Sequence, residues 1–263
     1  MKNSYPVYKV DAFTSKLFGG NPAAVCPLNE WLADWEMQLL ATENNLSETA
    51  FFVKQNDGSF YIRWFTPEYE IDLCGHATLA TAYVIFYELG HEADTLLFNC
   101  KSGLLTVQRK ANKIELDFPA RMPQAVAPPE MLLRGLSIAP QMVLKSRDYF
   151  AVYRNEEEVR DLQVSMDYLN QLDTIGVIVT ALGNKVDFVS RFFVPNSSIY
   201  EDPVTGSAHC SLIPYWANQL DKNVLTAQQL SKRVGHLWCA FKGGRVTMAG
   251  QCVLYMKGEY YLP

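Results

Sequence analysis

The sequence predicts an α/β (α+β) protein built as two similar halves, each wrapping strands around one apolar helix. Three observations carry this: ordinary globular composition, a two-fold internal repeat, and a helical stretch with no polar face. At 263 residues, 49% hydrophobic and 19% charged, the chain can bury a full core and is neither disordered, collagen-like nor coiled-coil. A net charge of −5, with no Lys/Arg cluster beyond Lys232-Arg233, offers no stripe for a phosphate backbone, so no nucleic acid partner is expected.

The repeat is read from three matches in the same order. Arg63-Trp-Phe65-Thr-Pro67 returns as Arg191-Phe-Phe193-Val-Pro195 at an offset of 128 (191 − 63). Gly75-His76-Ala77 is echoed by Gly206-Ser207-Ala208 at 131 (206 − 75), and Lys101 to Thr106 by Lys242 to Thr247 at 141 (242 − 101). The rising offsets imply small insertions between equivalent elements.

Along the chain, Met1 to Tyr8 runs straight into an alternating strand pattern without an export signal. Phe18 to Pro22 is a turn by composition, and its Gly-Gly-Asn is not the G-x-G-x-x-G of a nucleotide-binding loop. Glu30 to Glu43 predicts an amphipathic surface helix whose apolar stripe is Leu32, Trp35, Leu39 and Leu40, ended by the loop Asn44 to Ser47. Ala50 to Val53 and Phe60 to Phe65 read as strands. Ala77 to Leu89 reads as a helix that carries no charge up to Tyr87, as a helix wrapped by sheet should. Its counterpart is Ala208 to Leu220, which Pro214 is expected to kink or shorten. Prolines 119, 123, 128 and 129 mark a boundary between domains 1–118 and 119–263, and Tyr255 to Tyr261 is a strand able to return to the first domain. Lys242 to Arg245 is a hairpin turn.

No window reaches the length of a membrane span, and a cytoplasmic location with no membrane partner is expected. The six cysteines form no C-x-x-C pair and are expected to be free thiols. The four histidines lie 15 or more residues apart, which gives no metal motif, and no metal is expected.

The two equivalent helix starts are expected to face each other across the domain interface, where their free N–H groups suit a substrate carboxylate or phosphate. Simple capping is the plainer explanation of each turn alone; two equivalent copies favour binding. Asp72, Cys74 and His76 surround the first start, and Glu201, Asp202 and Ser207 the second, so both are rich in groups able to move protons. Glu48 opens the apolar Ala50 to Val53 strand and adds a third carboxyl, although its position alone favours a solvated strand end.

Four ordered motifs, Phe18 to Val25, Asn45 to Phe51, Phe65 to Leu79 and Glu201 to Ala208, resemble the PhzF family of phenazine-biosynthesis-like isomerases, within the larger diaminopimelate epimerase fold. The resemblance implies two α/β domains, each a curled mixed β-sheet around a central helix, with the active site between them and no cofactor. It makes Glu48 the general acid/base, with His76 and Asp202 as further catalytic residues and Gly75, Ala77, Gly206 and Ser207 binding a small carboxylate-bearing substrate. In the phenazine enzymes such a constellation shifts a proton along a dihydro-hydroxyanthranilate ring. A homodimer is also in keeping with the family. The Val234 to Gly244 segment departs from the Gly-rich pattern expected there.

Two rival readings differ in kind. A two-thiol epimerase or racemase could use Cys74, but the repeat pairs Cys74 with Thr205, a far weaker acid. A catalytically silent binding protein of the same fold would be free to lose Glu48, His76 or Asp202, and retains all three.

Overall fold

The computed structural model of the chain describes residues 3–262. The described residues up to Asp117, together with Ala249 onward, form one compact unit, and Phe118–Met248 form another.

The first unit contains β1 (Asn3–Ala12), β2 (Asn21–Leu28), α1 (Asp34–Asn44), β3 (Glu48–Lys54), β4 (Phe60–Phe65), β5 (Glu70–Ile71), α2 (Gly75–Tyr83), β6 (Thr95–Cys100), β7 (Gly103–Lys110) and β8 (Lys113–Pro119). Its sheet is mixed: β1 and β2 are antiparallel, β2 and β3 parallel, β3 and β4 antiparallel, β4 and β6 parallel, and β6, β7 and β8 antiparallel in turn. Every residue of α2 from Gly75 to Ala82 is buried, against β1, β2 and β3. A helix so enclosed needs no polar face, which is why its sequence has none.

The second unit contains β9 (Gln124–Ala125), α3 (Glu130–Gly135), β10 (Met142–Lys145), β11 (Tyr149–Val152), α4 (Glu156–Asp161), α5 (Met166–Leu169), β12 (Val177–Leu182), β13 (Phe188–Phe193), α6 (Gly206–Leu220), β14 (Val224–Gln229), β15 (Gly235–Lys242) and β16 (Arg245–Gly250). Here β10 and β11 are antiparallel, β11 and β12 parallel, β12 and β13 antiparallel, β13 and β14 parallel, and β14 and β15 antiparallel. The order of pairings matches that of the first unit. The last strand, β17 (Cys252–Leu262), pairs along its length with β1 in the first unit, and Tyr260 takes a 2.6 Å hydrogen bond from Asn44 there.

The strand pairings show how the repeat runs. Phe60↔Phe98 in the parallel β4–β6 pair corresponds to Phe188↔Ala227 in β13–β14. Arg63 and Arg191 then make the same contacts: Nε and Nη2 grip Glu70 at 2.8 and 2.9 Å, or Glu201 at 2.7 and 3.1 Å. Each guanidinium also covers the aromatic ring two residues on, Phe65 or Phe193. The third sequence match is corrected. Lys101 lies in the β6–β7 turn, whose topological equivalent is the β14–β15 connection, whereas Lys242 closes β15 and corresponds to the end of β7. True equivalence keeps the offset near that of the helices instead of rising to 141, because parallel pairing fixes which strand answers which.

Three further expectations change. The first apolar helix begins two residues early, at Gly75, and passes at Val84–Glu88 into a π-helical turn closed by Leu89 N–H on Val84 O at 2.9 Å. The wider turn keeps Val84, Ile85 and Phe86 buried together. In α1 the buried residues are Met37, Leu40 and Ala41; Trp35 and Leu39, 61% and 58% exposed, lie off the packed face, and Leu32 precedes the helix. The face that packs is the one turned to Cys26, Leu28, Phe51, Val53 and Phe65, with which Met37, Leu40 and Ala41 form one buried cluster. α6 is not shortened by Pro214 but runs 15 residues. The carbonyl that the proline leaves without a helical donor, Cys210 O, takes Arg121 N–H at 2.8 Å instead.

Candidate active site

In the first unit three chain segments bring Glu48, His76 and Asn21 together. β2 and β3 run parallel with Ala23 opposite Glu48, so Asn21 and Glu48 both stand near the strand starts. The turn before β2 is fixed by Asp11, which accepts Phe18 N–H at 2.8 Å, and by Gly20 at φ +57°, where a Cβ would fall 2.0 Å from Ala12 O. Only glycine meets both demands. Cys74 caps α2 in an extended conformation, no side chain caps the helix, and His76 is its second residue.

His76 is 3% exposed, and burial pulls its pKa down to about 3. At neutral pH the ring is therefore uncharged. The Asn21 amide nitrogen lies 3.2 Å from Nδ1 and can only donate, so Nδ1 accepts and the ring proton resides on Nε2. That nitrogen lies 3.1 Å from Glu48 Oε2, at hydrogen-bond length although not aligned as a hydrogen bond. Glu48 is 15% exposed, so it is not the solvated strand end that its position alone allows. Cys74 Sγ lies 3.5 Å from His76 Nδ1. Ligand atoms of Glu48, Cys74 and His76 fall within 4.8 Å of one another and are the residues able to hold a metal ion here, a donor set of the zinc type. The sequence, with its widely spaced histidines, does not reveal that grouping.

The second unit builds an equivalent helix start from different side chains. Asp202 Oδ2 accepts the Thr205 hydroxyl at 2.5 Å, and buried Gln229 joins both, accepting Thr205 N–H at 2.9 Å and donating to Asp202 O at 2.7 Å. This pins the turn that presents Gly206 and Ser207. Thr78 and His209 show the symmetry again, each bonding the carbonyl four residues back, Cys74 O at 2.5 Å and Thr205 O at 2.8 Å. Ser207 Oγ accepts Arg147 Nη2 at 3.0 Å.

The structure thus brings Glu48 and His76 together, with Gly75 and Ala77 beside them at the start of α2, and places Asp202, Gly206 and Ser207 in the second unit. It does not recruit Asp72, which is exposed, or Glu201, which is bound by Arg191. Asn21, Arg147 and Gln229 are not found by sequence reasoning. Asn21 does sit in the Gly-Gly-Asn turn, whereas Gln229 and Arg147 carry no local signal. None of the six cysteines is in a disulfide. Burial raises Cys210 to about 11, and Thr205 occupies the N-cap position that Cys74 holds in α2, so no second thiol answers Cys74.

The comparisons with known proteins now decide the family. The PhzC-PhzF model, described as phenazine biosynthesis-like protein, matches residues 10–258. The chain belongs to that family. An uncharacterized isomerase of Pseudomonas aeruginosa is 49% identical over 97% of this chain and 98% of its own, and one of Halalkalibacterium halodurans is 46% identical over 98% of each. The crystal structure of a PhzF-family phenazine biosynthesis protein from Enterococcus faecalis superposes with a TM-score of 0.96, at 48% identity over 99% of this chain and 100% of that one. With the PhzC-PhzF family goes the enzyme class, an isomerase. Among the described residues no helix is long and apolar enough to cross a membrane.

Proposed function

We propose that the protein is a cofactor-independent isomerase that moves a proton between two atoms of a small, carboxylate-bearing substrate by general acid/base catalysis. Glu48 is the acid/base. As a carboxylate it removes a proton from one carbon, the electron pair passes into the adjoining unsaturated system, and the carboxylic acid so formed returns the proton at another carbon. The observation that carries this reading is the 3.1 Å approach of Glu48 Oε2 to the neutral, buried Nε2 of His76. The imidazole is uncharged, so it does not neutralise the carboxylate, and its Nε2 lies against Oε2. Gly75 and Ala77, in the uncapped first turn of α2, offer backbone N–H groups, and Gly206 and Ser207 do the same in α6 for a substrate carboxylate. Asp202 is assigned to the same chemistry as a further acid/base group held by Thr205.

The test is solvent-deuterium incorporation into a panel of unsaturated cyclic and amino carboxylic acids, read by mass. Wild type is expected to give a mass shift that Glu48→Gln does not. Equal incorporation by both proteins would remove Glu48 from the reaction, and no incorporation with any acid would favour a binding protein of this fold.

A further inference from the structure

We propose that Arg147 is a specificity-determining residue of the second unit, selecting substrates by negative charge: it orients the Ser207 hydroxyl and presents the Nη1 end of its guanidinium to a carboxylate. The inference rests on the reading above that Ser207 touches substrate, and goes beyond it by naming the group that recognises charge.

The internal repeat singles Arg147 out. β1–β2 answers β10–β11 in the order of pairings, and His76 answers Ser207 as second residue of the buried helix. In the first unit Asn21, at the entry to β2, reaches across to His76. In the second, Arg147, just before β11, reaches across to Ser207. By strand register Arg147 stands one residue beyond the equivalent of Asn21, which is Ser146, yet it touches the corresponding residue, so where the first unit uses a neutral amide the second uses a fixed positive charge.

The arginine is held ready for a ligand. Nε and Nη2 grip Asp148, 1% exposed, at 3.0 and 2.6 Å, and Nη2 also donates to Ser207. Ser146 Oγ lies 2.8 Å from Ser211 Oγ and ties the same turn to α6. Nη1 makes no hydrogen bond within the described protein, and the side chain is 28% exposed, so the N–H groups of Nη1 on a rigid, pre-oriented guanidinium remain available. The positive charge is also locally in excess. Arg121 and Arg147 both act on Cys210 in α6, whose uncapped N-terminus adds the positive end of its dipole. One carboxylate, Asp148, is bound by Arg147 against these, an arrangement that an anion completes.

A purely structural arginine would neutralise Asp148 and no more, so the experiment compares ligands of one shape that differ in charge. Binding of benzoate and benzamide to the full chain is measured by titration calorimetry. Wild type is expected to prefer benzoate by at least 10-fold, Arg147→Lys to keep part of the preference, and Arg147→Met with Asp148→Asn, which leaves no buried charge alone, to bind both equally. Full preference in the double variant, or none in wild type, overturns the proposal. If the double variant does not fold, Arg147→Gln takes its place, and undiminished preference there overturns the proposal, since the amide carries no charge. A preference that depends on Arg147 in a wild-type protein that exchanges deuterium with no acid of the panel would reject proton transfer and leave the anion site standing.

Discussion

His76 Nε2 stands 3.1 Å from Glu48 Oε2 in a setting that keeps the imidazole uncharged and its proton on the carboxylate side. Asn21 imposes that tautomer from the opposite edge of the ring. Replacing Asn21 by Leu frees the ring to move its proton to Nδ1. We expect a loss of about 10- to 100-fold in the deuterium exchange rate, with little change in substrate affinity, read from the concentration dependence of exchange. An unchanged rate would show that the tautomer is set elsewhere.

The histidines also govern acid stability. His76 falls to about 3 and His209 to about 4 from an ordinary 6.5, both by burial. The unfolded chain therefore takes up these protons first, so stability is complete above about pH 6.5 and falls as pH drops towards 4 and 3. Each histidine contributes a slope of about 1.4 kcal/mol per pH unit. In urea titrations between pH 7 and 4, His209→Gln should flatten the dependence by about one proton relative to wild type.

Gln229 is buried and joins Thr205 to Asp202. Gln229→Leu deprives Thr205 N–H and Asp202 O of their partner, and should cost about 2–3 kcal/mol by denaturant unfolding. It should also weaken benzoate binding, because the turn carrying Gly206 loses its anchor. Stability lost without any change in binding would confine Gln229 to the fold.

Gly20→Ala meets two penalties, a left-handed backbone at φ +57° and a Cβ 2.0 Å from a main-chain oxygen. A backbone atom cannot swing aside as a side-chain tip can. The expected cost is about 3 kcal/mol, seen as a lowered Tm, with exchange impaired because Asn21 follows directly.

The paired arginines predict parallel behaviour in the two units. Arg63→Met leaves Glu70, whose carboxyl Arg63 and Lys101 hold down at about 2, with Lys101 alone, and Arg191→Met strands Glu201. Each should cost about 2–3 kcal/mol at pH 7. For Glu70 the loss should shrink as pH falls from about 4.5 towards 2, where the carboxyl protonates in wild type as well. Unequal effects would show that the matched geometry hides different energetics.

The sequence by itself determined the two-fold repeat, the apolar helices at the centre of each unit and the family motifs, and through those motifs pointed to Glu48 and His76. These are local signals: a helix without charge, a glycine before a helix start, an arginine two residues before an aromatic. Tertiary structure decided what depends on contacts between distant segments. Strand pairing reassigned the third repeat match, packing against the strands selected the buried face of α1, and Arg121 supplied the donor that lets α6 run through Pro214. Asn21, Gln229 and Arg147 act through single side-chain contacts that span 55, 24 and 60 residues, and nothing near them in sequence marks the partner. Periodicity records which face of an element is buried; it does not record which side chain on another element waits there.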